Sequence, residues 1–177
     1  MNSLADASSV HYLYTGMAHE IILYTDGSAL GNPGKGGYGA VLMSGKHYKE
    51  LSQGYRLTTN NRMELLAVIV GLETLKFEGC RVTVYSDSKY VVDAVSKGWL
   101  AGWVRTHFKG KKNEDLWRRY LVAAAKHNVR FVWVKGHADN KWNNRCDELA
   151  VAASNSANLL TDQGYETSQE KEPELLP

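Results

Sequence analysis

Two short runs end in the same way. EIILYTD closes on Asp26 and RVTVYSD closes on Asp87, each a dense series of apolar and β-favouring residues that reads as a strand buried on both faces. A helix lies between them in the chain, so they read as parallel, and open α/β sheets build their sites at the C-terminal tips of such strands. If the strands are neighbours, two carboxylates meet at one edge, which is costly without a cation. Asp87 also has a plainer reading, as the cap of a helix beginning near Ser88. Glu64, expected in the first turn of the intervening helix, leans over the same edge, and Asp147, about one turn into the last helix, comes in from the far side. Four converging carboxylates suit a hard cation, Mg²⁺ or Mn²⁺. Two such ions serve an in-line phosphodiester displacement, one activating water and the other stabilising the leaving oxygen.

His137, in the loop VKGHADNKWNN, lies between a strand end and the helix of Asp147 and can move a proton near neutral pH; a structural role for a lone His is equally open. The stretch KGWLAGWVRTHFKGKKNEDLW interleaves Trp99, Trp103 and Phe108 with Arg105, Lys109, Lys111 and Lys112. Cations and aromatic faces together fit a nucleic-acid groove, although Trp117 reads as core. By contrast, Gly34 to Gly39 match G-x-G-x-x-G only formally, because a strand, YGAVLMS, follows where a dinucleotide fold needs a helix. Lys35 precedes Gly36, not Ser or Thr, which excludes a Walker loop. These glycines are expected to let a long connection between strands turn tightly and to allow something bulky to approach the backbone.

The elements that position these residues follow from pattern. Three strands, a buried helix over NNRMELLAVIVGLETLKF, a fourth strand, two or three helices, a fifth strand VRFVWVKGH and a last helix through RCDELAVAAS form one α/β domain. Asn60 and Asn61 are the start signals of the buried helix. The first, fourth and fifth strands are parallel, and the second and third are an antiparallel addition.

The chain of 177 residues is 44% hydrophobic and 23% charged, enough for a real core. Its net charge of +2 hides a basic zone over residues 97 to 145, whose natural partners are polyanions. Cys80 and Cys146 lack metal or redox spacing, and no apolar run approaches a membrane span. A cytoplasmic protein without membrane association is expected. Residues 1–18 read as an N-terminal extension, with Met17 an alternative start, 19–156 as the catalytic domain, and 157–177 as a flexible acidic tail.

In order along the chain, YTDGSALGNPGKGGYGAVL, TTNNRMELLAVIVGLETL, YSDSKYV and WVKGHADNKWNNRCDELA closely resemble bacterial type 1 ribonuclease H over residues 20 to 155. The resemblance implies a ribonuclease H-like fold with a five-stranded mixed sheet, order 3-2-1-4-5, flanked by helices. It implies a monomeric endoribonuclease that cuts the RNA strand of RNA–DNA hybrids with two Mg²⁺ ions, leaving 5′-phosphate and 3′-hydroxyl ends. The metal-binding acids fall on Asp26, Glu64, Asp87 and Asp147, and His137 aids proton transfer and product release. Gly27, Ser28 and Ala29 approach the 2′-hydroxyls of the RNA, Asn60 and Asn61 contact bases in the minor groove, and Thr59 meets a DNA phosphate. Asn32 and Lys89 complete the substrate contacts, with Trp99, Trp103 and Arg105 on a basic handle lining the DNA channel. The handle is shorter than in the longest bacterial forms. Leu57 stands where related sequences often carry Arg, with Arg56 as the neighbouring substitute, and Lys89 where Gln is common. DNA-acting transposases and integrases share the sheet and carboxylate logic, but TTNNRME and GHA match ribonuclease H.

Overall fold

The structure is a computed structural model that describes residues 19–136 and 140–170; the N-terminal extension, His137 and the last residues of the tail lie outside it. A meander of β1 (Glu20–Leu30), β2 (Gly34–Ser44) and β3 (His47–Thr58) leads into α1 (Asn60–Glu73). Then come β4 (Arg81–Ser86), α2 (Lys89–Ser96), α3 (Trp99–Arg105), α4 (Glu114–Ala124), β5 (Asn128–Trp133), α5 (Lys141–Ser154), β6 (Leu159–Leu160) and α6 (Gln163–Glu170). Among the described residues, no helix is long and apolar enough to cross a membrane.

The sheet order is β5-β4-β1-β2-β3-β6. Its inner five strands have the expected order and directions, with β1, β4 and β5 parallel and β2 antiparallel to both neighbours. The sixth strand corrects the expected count. It pairs Leu159 and Leu160 with Gly54 and Tyr55 at the β3 edge, and two residues are too few to show an alternating pattern in sequence.

The helices sandwich the sheet. On one face α1 and α4 enclose the main core, where Leu23, Val84, Met63, Ile69 and Trp117 are fully or almost fully buried. α1 is apolar nearly all round because β-sheet covers one side and α4 the other. On the opposite face α5 lies directly on β2.

The glycines explain that close approach, and they are not in a long connection as expected: only Gly31 to Pro33 separate β1 from β2. A Cβ at Gly39 would stand 2.1 Å from the Cys146 carbonyl oxygen and one at Gly37 2.7 Å from that of Ala150, so the α5 backbone rests on the strand backbone. Gly39→Ala must push α5 off the sheet; it is expected to lower stability by about 1–3 kcal/mol or more in urea denaturation. A midpoint equal to the parent's would contradict this packing.

The tail also departs from expectation, since residues 159–170 continue the fold as β6 and α6. Two of their acids have partners: Asp162 meets Arg62 and Glu166 meets Arg56. Composition alone cannot see a charge that is paired across the fold.

Candidate active site

β1 and β4 run parallel and in register, and their last pair is Thr25 with Ser86. Asp26 and Asp87 are therefore the next residues on adjacent strands, side by side where β4 ends. β1 itself continues past Asp26 along β2 as far as Leu30, so that acid belongs to the interior of its strand.

α1 brings the third acid. Thr59 is its N-cap, its hydroxyl accepting from Arg62 N at 3.4 Å, so the helix starts one residue earlier than Asn60 and Asn61 suggested as caps. Glu64 consequently opens the second turn, not the first. Its backbone is pressed on β1 at Gly27, where a Cβ would lie 2.3 Å from Glu64 N. The absence of a side chain at Gly27 is thus what allows Glu64 to sit beside Asp26.

The outcome is a cluster in which one carboxylate oxygen each of Asp26, Glu64 and Asp87 lie within 4.8 Å of one another. Asp26 accepts from Gly27 N at 2.7 Å. Glu64 accepts from Asn60 Nδ2 at 2.7 Å and from the Ser88 hydroxyl. Ser88 also caps α2 by accepting from Val91 N at 3.3 Å, so the capping role read for Asp87 is filled by its neighbour. Asp87 accepts from Asn143 Nδ2 at 3.4 Å.

Electrostatics mark this cluster as overloaded with negative charge. Burial, then the Asp87 charge, raises Asp26 to about 8 from 3.8. Burial likewise lifts Glu64 to about 7, against the hydrogen bond from Ser88. Clustered oxygens whose ionised forms are this disfavoured fit a divalent cation. Asn143 fits as well, since its buried Oδ1 meets no donor among the described residues and leaves an open acceptor next to Asp87.

Asp147 stands outside the tight trio, one turn along α5 from Asn143, yet close enough for its charge to raise Asp26. His137 lies outside the described residues; at Gly136, before it, a Cβ would lie 2.4 Å from Asp87 Oδ2, so the chain abuts the acids there.

The remaining residues divide into two groups. Ser28 and Ala29 follow Gly27 along β1, half-buried, and Asn60 and Asn32 are joined where Asn60 N donates to Asn32 Oδ1 at 3.2 Å. Asn32, Thr59, Asn61 and Trp103 line one groove of about 1090 Å³. Lys89 lies over the Trp133 ring at 5.2 Å, and Trp133 Nε1 donates to the Asp87 carbonyl at 3.1 Å. Trp99, 47% exposed, and Arg105 sit on α3 outside the lining of that groove.

Two expectations for the substrate-binding surface need correction. Phe108 is 2% exposed and packed under Arg118, so it anchors the handle and is not available for stacking on a base. Arg56 does not replace the missing Arg at Leu57, because Glu166 holds it through both Nε and Nη2. Sequence reading missed Ser88 and Asn143. The signals were present: Ser88 follows the acid at a helix start, and Asn143 precedes Asp147 by one helical turn on the same face.

The ribonuclease H family model matches residues 18–155. The chain belongs to the ribonuclease H family. A ribonuclease H of Syntrophus aciditrophicus is 56% identical over 151 residues, covering 82% of this chain and 87% of that protein. The ribonuclease H of Desulforamulus reducens is 57% identical over 148 residues, 81% of this chain and 92% of the other. Among solved structures, LC9-RNase H1, a type 1 RNase H with the type 2 active-site motif, aligns with a TM-score of 0.72 at 30% identity, covering 86% of this chain and 81% of that one. LC11-RNase H1, solved in complex with an RNA/DNA hybrid, aligns with a TM-score of 0.56 at 26% identity over 75% and 95% of the two chains. Ribonucleases H are metal-dependent nucleases, and the acid trio of this ribonuclease H is compatible with that chemistry.

Proposed function

We propose that this chain hydrolyses the RNA strand of RNA–DNA hybrids, leaving 5′-phosphate and 3′-hydroxyl ends. The observation that carries the reading is the carboxylate trio of Asp26, Glu64 and Asp87 within 4.8 Å, drawn from β1, α1 and the end of β4 in a ribonuclease H. Asp26, Glu64, Asp87 and, from α5, Asp147 would hold two Mg²⁺ ions, with Mn²⁺ as a substitute. When bound, the ions supply an activated water and charge stabilisation at the leaving oxygen.

The chain's own residues orient the reaction. Gly27 N and Asn60 Nδ2 fix the carboxylates of Asp26 and Glu64 through hydrogen bonds of 2.7 Å each. The backbone of Gly27, Ser28 and Ala29 reads the 2′-hydroxyl that distinguishes RNA from DNA. His137, next to a loop that abuts Asp87, moves a proton near neutral pH. Thr59, Asn60, Asn61, Asn32, Lys89, Trp99, Trp103 and Arg105 bind the hybrid. The enzyme works as a cytoplasmic monomer, a location that the free, buried Cys80 and Cys146 support.

The test is cleavage of a hybrid whose RNA strand has one ribonucleotide block, with Mg²⁺ and with EDTA. Cleavage confined to the block and lost in EDTA is expected; cutting of duplex DNA overturns the reading. Because Asp147 lies outside the trio, Asp147→Asn should retain at least roughly tenfold more activity than Asp26→Asn in the same assay. Equal losses would place Asp147 on a par with the trio.

A further inference from the structure

The C-terminal segment forms a wall of the groove that begins next to the acids. Asn60 hydrogen-bonds Glu64, and its neighbours Thr59 and Asn61 line the groove, so this space starts one residue from the cluster. Lys111 and Lys112 of the basic handle line it too, as do Gly164, Tyr165, Ser168 and Gln169 of α6. At about 1090 Å³ it exceeds the usual size of a small-molecule pocket and suits a length of polymer backbone.

α6 is fixed there by specific chemistry. Asp162 accepts from Arg62 Nε at 2.7 Å and from Thr58 Oγ1 at 2.6 Å, and Tyr165 N donates to Asp162 Oδ1 at 3.3 Å, so the same carboxylate anchors and caps the helix. Gly164 packs so closely on the Arg62–Asp115 pair that a Cβ would lie 2.0 Å from Asp115 Oδ2. Glu166 points the other way, to Arg56. Asp162 and Glu166 are thus neutralised by arginines, and the α6 residues that line the groove, Gly164, Tyr165, Ser168 and Gln169, carry no charge; the groove's charged lining is Arg62, Lys111, Lys112 and Arg118 against Glu114 and Asp115. Lys111 lies over the Trp103 ring at 5.4 Å, and neither Lys111 nor Lys112 is in an ion pair among the described residues.

We propose that α6 is a substrate-binding element: Tyr165, Ser168 and Gln169 contact the sugar–phosphate backbone of the hybrid's DNA strand as it runs between Thr59 and Lys111. The proposal rests on the hybrid-cleaving reading. It is tested with the full chain by measuring hybrid affinity in the presence of Ca²⁺, alongside Mg²⁺-dependent cleavage by the parent. Ser168→Glu with Gln169→Glu places two anions on the groove face, and Gln163→Glu with Thr167→Glu makes the same charge change on the opposite face. The first pair is expected to weaken hybrid binding roughly tenfold while the second leaves it within twofold of the parent. Ser168→Lys with Gln169→Lys should tighten binding and steepen its salt dependence by roughly two units of log–log slope, and it carries the test should the Glu pair fail to fold. If the parent binds and cleaves the hybrid but both groove-face pairs match the opposite-face pair, the role of α6 is overturned and the hybrid reading stands. If the parent itself neither binds nor cleaves the hybrid, both fall.

Discussion

Asp26→Asn will reduce hybrid cleavage by roughly a thousandfold or more and will, in EDTA at neutral pH, yield a protein more stable than its parent. The two effects have one origin. Asp26 is 8% exposed and shares its surroundings with Glu64 and Asp87, so its folded value is raised to about 8 from 3.8. An acid raised on folding favours the native state while protonated, below about pH 4, and that contribution is lost as pH climbs towards about 8. The neutral amide of the variant has no such loss. The stability difference between variant and parent should therefore open above pH 4 and reach about 2 kcal/mol or more near pH 8. Urea denaturation across that range in EDTA reads it directly, and added Mg²⁺ should restore the parent but not the variant. A parent whose metal-free stability is flat from pH 4 to 8, or a variant that still cleaves at a tenth of the parental rate, would remove the charge-crowding argument.

Asp162→Ala is expected to cost about 3–5 kcal/mol, a loss on the scale of a broken buried ion pair. Arg62 is 3% exposed and donates to Asp162 through Nε at 2.7 Å and Nη2 at 2.8 Å, while Asp115 takes Nη1 at 2.8 Å and Nη2 at 2.6 Å. Removing Asp162 leaves the buried guanidinium with the Asp115 carboxylate alone, strips the Thr58 hydroxyl of its acceptor, and uncaps α6. Hydrogen exchange should show protection lost first over residues 159–170 and then at the start of α1. By comparison, Glu166→Ala removes only a solvent-exposed pair and should leave the denaturation midpoint almost unmoved. A loss below about 1 kcal/mol for Asp162→Ala would mean that the network contributes little beyond its own desolvation.

These contrasts show which parts of the molecule were legible from sequence. The inner sheet was, because EIILYTD and RVTVYSD carry continuous apolar character that only a doubly covered strand can use, and their parallel pairing places Asp26 and Asp87 together. The cap of α1 was misjudged by one residue, since Thr59, Asn60 and Asn61 are all competent N-caps and tertiary contacts decide among them. The β2 glycines were rightly expected to admit a close neighbour but were assigned to a turn, because which element approaches, the backbone of α5 on the far side, leaves no local trace. Phe108 looked like a ligand-facing aromatic because periodicity fails in the irregular handle, where His107, Phe108 and Asn113 have positive φ. The tail looked flexible because pairing across a hundred residues, Arg62 to Asp162, is invisible to composition.

The in-register pairing of β1 with β4 also sets where this chain tolerates insertions and deletions. Because side chains alternate across a strand, one residue gained or lost between Arg81 and Asp87 would turn the Asp87 carboxylate to the opposite side of the sheet and disperse the trio. The same change in residues 74–80, between α1 and β4, would be absorbed outside the pairing that sets the acids' spacing. Length variation among functional versions of this chain is therefore expected in that connection and excluded from β4, and a library of single-codon deletions scored for hybrid cleavage would map that boundary.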